Sequence, residues 1–188
     1  MAVNDLQAGA RSAAVSRFER LYREQAPAVL AYVARRVPAD SVADVVADTF
    51  AVVWRRLDRV PDDPFPWLLG IARRVIANQR RSHKRREALV EKSAAQPVFD
   101  NRSEPAGALR EVLAALSELP EKDREVLQLA VWEGLSAKEA GRVLGCSATA
   151  YRLRLHRARL KLAERLDPPE PAEQRDRFRP TLRPEELP

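Results

Sequence analysis

Ala, Leu, Arg and Glu dominate this 188-residue chain and glycine is scarce at six residues, so it leans all-α, as one mid-sized domain or two small ones. The formal charge of +6 and the pI near 10.0 fit a polyanionic partner. A single cysteine, Cys146, excludes an intrachain disulfide, and two histidines far apart, His83 and His156, fall short of a zinc site.

Residues 1–14 show no sustained pattern and read as a disordered arm. From Arg17 to Val37, Phe18, Leu21, Tyr22, Val29, Tyr32 and Val33 recur at helical spacing until Pro38 ends the pattern. Ser41 is placed to cap a second helix with the stripe Val42, Val45, Val46, Phe50, Val53, Trp54 and Leu57. "PDDPFP" at 61–66 reads as a loop, because its prolines remove donors and restrict the residues before them. A third helix is expected from about Trp67. Apolar rhythm is then lost, so 15–82 reads as one domain and 83–105 as a flexible linker. Four more helices are expected in a second domain over 106–166, and the Pro-rich, charged tail at 167–188 reads as disordered. The N-terminus lacks a signal-peptide core and no apolar run approaches a membrane span, which places the chain in the cytoplasm with no membrane partner.

"GLSAKEAGRVLGCSATAYRLRLHRARL" carries several independent signals of a helix-turn-helix. Ser136 and Glu139 have the spacing of a capping box, Gly145 suits a tight turn, and Ser147 can cap the next helix. On a helical wheel Tyr151, Leu155, Ala158 and Leu162 share one inward sector. Arg152, Leu153, His156 and Arg157 point the other way, with Arg154, Arg159 and Lys161 along the edges. A basic face on a helix fixed by a turn suits base and phosphate contacts in duplex DNA.

The first domain offers two further surfaces. "ARRVIANQRRSHKRR" at 72–86 fits single-stranded or distorted nucleic acid, and equally a solvated cationic helix end. Asp44 and Asp48, four residues apart, form an acidic face that suits either a basic protein partner or simple solubility. No His/Cys/Ser constellation, Gly-rich phosphate loop or metal-ligand spacing supports an enzyme, and no cofactor is implied.

Taken in order and spacing, "FERLY", "DVVADTFAVVWRRL", "PWLLGIARRVIANQRR" and "LPEKDREVLQLAVWEGLSAKEAGRVLGCSATAYRLRLHRARLKL" resemble an extracytoplasmic-function (group IV) sigma factor of the sigma-70 family. The resemblance covers about residues 15–166. It implies a region 2-like domain that joins core RNA polymerase and the −10 element, and a region 4-like helix-turn-helix domain for the −35 element. Asp44, Asp48, Phe50 and Trp54 would grip the clamp helices of the largest catalytic subunit. Pro61, Asp62, Asp63, Phe65 and Trp67 would capture the single-stranded −10 element, with Arg73, Arg74, Asn78 and Arg81 along it. Ser147, Thr149, Arg152, Leu153, Arg154, His156 and Arg157 would face duplex −35 DNA. The flap of the second-largest subunit and an anti-sigma factor are the other implied partners. The competing reading is a two-domain helix-turn-helix regulator that binds DNA without joining polymerase.

Overall fold

The computed structural model describes residues 2–87 and 107–167, and seven α-helices make up the regular structure there apart from two single 3-10 turns. They are α1 (Ala2–Ala34), α2 (Val42–Arg55), α3 (Pro64–Glu87), α4 (Gly107–Glu118), α5 (Glu121–Val131), α6 (Ala137–Leu144) and α7 (Ala148–Leu166). The 3-10 turns, Ala39–Ser41 and Leu57–Arg59, bracket α2.

The apolar stripes read from sequence are the buried faces, except at Tyr22 and Trp54, which are exposed. Val29, Tyr32 and Val33 of α1 meet Val45, Val46, Phe50 and Val53 of α2 and Leu68, Leu69, Ile71, Ala72 and Ile76 of α3. Fully burying a side chain of this size contributes about 1.5–3 kcal/mol, so this three-helix cluster is the main source of stability in the first block. Thr49 is fully buried within it, and its hydroxyl is satisfied by donating to the Val45 carbonyl at 2.7 Å. In the second block Leu116, Leu119, Leu127 and Ala158 form a smaller cluster joining α4, α5 and α7.

The two blocks are not separate bodies joined only by a linker. Val126, Leu129, Ala140, Val143 and Tyr151 from the second block belong to the same buried cluster as the α1–α3 residues. The principal seam lies between α3 and α6, at Gly70 and Val143.

Four local expectations are corrected. α1 begins at Ala2, inside the segment read as a disordered arm: its alanine-rich sequence has no proline before Pro27 and favours helix without an apolar stripe. Pro27 lies within α1 and is exposed. Ser41 occupies the cap position of α2, but its hydroxyl donates to Asp40 Oδ1 at 3.1 Å and caps no helical amide. α3 starts at Pro64, not Trp67, since a proline in the first turn gives up only an amide that has no helical acceptor. The same helix runs to Glu87, into the stretch read as linker. The rest of that stretch, 88–105, and the tail at 168–188 lie outside the described residues.

Candidate nucleic-acid interface

The helix-turn-helix forms as its sequence predicts. Ser136 Oγ accepts from Glu139 N at 3.3 Å, and Glu139 Oε2 accepts from Ser136 N at 2.7 Å, completing the capping box. Gly145 ends α6 at φ 68°, a left-handed conformation that L side chains rarely adopt. Ser147 Oγ then accepts from Ala150 N at 3.1 Å and starts α7. Gly141, to which the sequence reading gave no role, is required by the turn's closeness. A Cβ there would stand 2.7 Å from the Cys146 carbonyl oxygen, so only glycine allows α6 and the turn to meet. The half-buried Cys146 side chain packs against the shared core.

The cap makes a prediction of its own. Ser136→Ala should cost about 0.5–2 kcal/mol in urea unfolding. Hydrogen bonds from the Ser136 hydroxyl and amide hold the Glu139 carboxyl below the ordinary glutamate range. Because that pKa is depressed in the folded state, the stability it supplies is present above the ordinary range and lost as pH falls below it. The Ser136→Ala deficit should therefore shrink in acid.

Tyr151 and Ala158 fix α7 to the body. Tyr151 is 1% exposed, its hydroxyl donates to the Val126 carbonyl at 3.0 Å, and burial raises its pKa. Leu155 and Leu162 are half-buried on the same side, as the wheel predicts. Thr149, Arg152, Leu153, Arg154, His156 and Arg157 are exposed, and none of the four cationic or titratable side chains makes an ion pair among the described residues. α7 thus presents an unneutralised basic face on a doubly capped support.

The first-block positions divide. Asp44 and Asp48 are exposed, and Gln79 Nε2 donates to Asp48 Oδ2 at 3.4 Å. Trp54 is 41% exposed, edge-on to Phe18 at 5.2 Å between ring centroids. Phe50 differs: it is 3% exposed and packed between Phe18 and Tyr22, so it supports this surface from below and cannot itself grip a partner. Pro61, Asp62, Asp63, Arg74, Asn78 and Arg81 are exposed, Phe65 and Trp67 half-buried. Arg81 Nη2 donates to Asn78 Oδ1 at 2.5 Å.

Arg73 is occupied by the second block. Its Nε and Nη2 donate to Glu125 Oε1 and Oε2 at 2.7 and 3.1 Å, a two-pronged contact that raises the Arg73 pKa. Asp63 pairs with Arg142 at 3.1 Å, and Arg80 pairs with Glu121. Glu133 Oε1 accepts from both Arg35 and Arg36 at 2.9 Å, with the Glu133 side chain 1% exposed. Arg36 also lies 3.6 Å over the ring of Tyr32, whose hydroxyl burial pushes up to about 12. A cleft of about 540 Å³ is lined by Arg35 and Arg36 just after α1, by Arg73 and Arg80 of α3, and by Glu121 and Glu125 of α5. Sequence reading missed this set, although Glu121 and Glu125 show the four-residue spacing of a helical edge.

No group of three or more His, Cys, Asp or Glu side chains among the described residues could hold a metal ion, and no helix there is long and apolar enough to cross a membrane.

With this geometry in place, comparison with known proteins is specific. The Sigma-70 region 2 family matches residues 21–86, and the Sigma-70, region 4 family matches residues 109–162. The RNA polymerase sigma factor CarQ of Myxococcus xanthus is 36% identical over 165 residues, covering 83% of this chain and 92% of CarQ. The ECF RNA polymerase sigma factor SigL of Mycobacterium tuberculosis is 31% identical, covering 80% of this chain and 89% of SigL. Among solved structures, the sigma factor RpoE in complex with the anti-sigma factor NepR from Bartonella quintana superposes with a TM-score of 0.61. That match has 25% identity and covers 79% of this chain and 96% of RpoE.

Proposed function

The chain belongs to the extracytoplasmic-function sigma factors of the sigma-70 family, and from that premise we propose how its surfaces divide the work of promoter recognition. The observation that carries the proposal is the unneutralised basic face of α7, held outward by two caps and a glycine turn. Arg152, Leu153, His156 and Arg157 meet base edges of the −35 element, while Thr149, Arg154 and the first turn at Ser147 meet phosphates. Arg74, Asn78 and Arg81 follow the −10 strand, and the Pro61–Asp63 loop with Phe65 and Trp67 holds an unstacked base. Arg73 joins them once Glu125 lets it go.

Asp44, Asp48 and Trp54 dock on the clamp helices of the largest polymerase subunit, and the second block meets the flap of the second-largest. The protein acts in the cytoplasm as a binding subunit with no catalysis of its own. A silencing anti-sigma partner fits the same proposal, since RpoE is solved with one.

Run-off transcription with core polymerase tests the central statement: the chain should confer initiation from a promoter that core alone ignores. Promoter binding without initiation would favour a plain DNA-binding regulator. Arg152→Ala and Arg157→Ala should each cost about 1–3 kcal/mol in upstream binding and relax base preference there. Arg74→Ala and Asn78→Ala should instead impair opening, because base extraction costs a few kcal/mol that strand contacts must offset. Permanganate footprinting on a pre-melted bubble should rescue the second pair at least partly and leave the defect of the first pair unchanged.

A further inference from the structure

The cleft between the blocks has polar atoms in its wall with nothing to bond. Tyr32 Oη, Arg35 Nε, and both Nε and Nη2 of Arg36 are buried without a hydrogen-bond partner among the described residues. Glu133 Oε2 is the one acceptor in the same condition there, so unpaired donors outnumber unpaired acceptors. Tyr32 is 0% exposed and Arg36 8%, and both line the cleft. The Arg36 guanidinium lies 3.6 Å over the Tyr32 ring, which keeps the two side chains together. Burial pushes the Tyr32 pKa up to about 12, so its hydroxyl stays protonated and can donate to an anion. Buried donors are costly to leave unpaired, and folded proteins satisfy nearly all of them with protein, water or ligand.

Charge and shape define the partner that these donors suit. Five arginines line the cleft, against the carboxylates of Asp40, Glu121 and Glu125. The guanidiniums exceed the carboxylates by one even with Glu133, which bonds Arg35 and Arg36. A guanidinium fork matches the oxygens of a phosphate group. A phosphate alone fills only a small part of about 540 Å³, a volume that suits a whole organic molecule. Val37, Pro38 and Ile76 supply apolar wall for a flat ring, and Gln79 and Gln128 supply amides for its edge. We propose that the cleft binds a phosphate monoester of mononucleotide size, its phosphate held by Tyr32, Arg35 and Arg36. Arg35, with 30% of its side chain exposed, is the group that moves to admit it. The site needs neither the α7 face nor the exposed Arg74, Asn78 and Arg81, so it stands apart from the promoter assignments.

Isothermal titration calorimetry on the full chain tests this with three probes: adenosine 5′-monophosphate, inorganic phosphate and adenosine. The monophosphate and phosphate should both bind, the monophosphate about tenfold tighter for its added contacts, and adenosine should not. Tyr32→Phe is the decisive variant, because it changes no charge and breaks no existing hydrogen bond. It should weaken both phosphate probes at least tenfold, the lower end of what a hydrogen bond to a charged group contributes. It should also raise the urea midpoint of the ligand-free chain, since a buried unpaired hydroxyl is gone. A merely structural tyrosine would move the midpoint and leave the affinities alone.

Three results would overturn the proposal. Binding of neither phosphate probe would leave the buried donors to ordered water. Binding that ignores Tyr32→Phe would place the anion elsewhere, as on the basic face of α7. Equal affinity for monophosphate and phosphate, or for monophosphate and adenosine, would remove the two-part ligand. Should Tyr32→Phe lose its helical circular dichroism, Arg35→Gln at its half-exposed position should show the same loss of at least tenfold.

Discussion

Glu133→Ala should be the most damaging single substitution in the chain with respect to how its two blocks hold together. The carboxylate is 1% exposed and is shared by two guanidiniums, of which Arg36 is itself only 8% exposed. Nε of Arg35 and both Nε and Nη2 of Arg36 are already buried without an acceptor, so nothing nearby can replace the lost one. Removing one partner of a buried pair typically costs about 3–5 kcal/mol, because the remaining charge stays desolvated. The molecule can avoid part of that cost by separating at the α3–α6 seam, which returns both arginines to water. Urea unfolding should therefore change in form as well as midpoint. A single cooperative transition should split into two, since blocks of about 60 to 85 residues are marginal by themselves. Glu133→Gln keeps an acceptor oxygen and should lose less. An unchanged midpoint and a single transition in Glu133→Ala would show that the cluster contributes nothing net.

The second large effect is on partner capture. Asp44→Arg with Asp48→Arg should weaken binding of core polymerase at least thirtyfold, the lower end of the 2–5 kcal/mol typical when one side of a desolvated charge pair is lost at an interface. Both side chains are exposed, and Asp48 has only the 3.4 Å contact from Gln79, so the fold should tolerate the change. The expected signature is a normal unfolding midpoint beside a failed pull-down. Capture at the level of the unmodified chain would remove this face from the docking surface. Trp54→Ala tests the apolar half of the same surface, whereas Phe50→Ala would confound it by opening a hole beneath Phe18 and Tyr22.

What could be read from the sequence is what depends on neighbours a few residues away. Ser136 with Glu139, Gly145, Ser147 and the inward set on α7 are local rules of capping and periodicity, and the structure keeps each of them. The register at Pro64 was missed because two prolines in sequence look like a break, while the first turn of a helix accepts them. The family resemblance places Phe50 with Trp54 at the docking surface, although both lie on one apolar stripe of α2. Only the arrival of Phe18 and Tyr22 from α1 decides which of the two is covered. Beyond the four-residue spacing of Glu121 and Glu125, the contacts between blocks have no local signature. Arg73 with Glu125 spans 52 residues and Arg35 with Glu133 spans 98, and such pairs follow from how the blocks pack.

The three tryptophans give the molecule a built-in optical readout. Trp54 stands exposed beside the acidic face of α2, Trp67 in the first turn of α3, and Trp132 beneath the Arg35 guanidinium at 5.6 Å, where the blocks meet. Under the proposed function each indole would sample a different event: polymerase docking, capture of an unstacked base, and separation of the blocks. Variants keeping one tryptophan each, with phenylalanine at the other two positions, would turn intrinsic emission into three separate clocks. Stopped-flow traces from the three would then order the steps of promoter engagement without any attached dye.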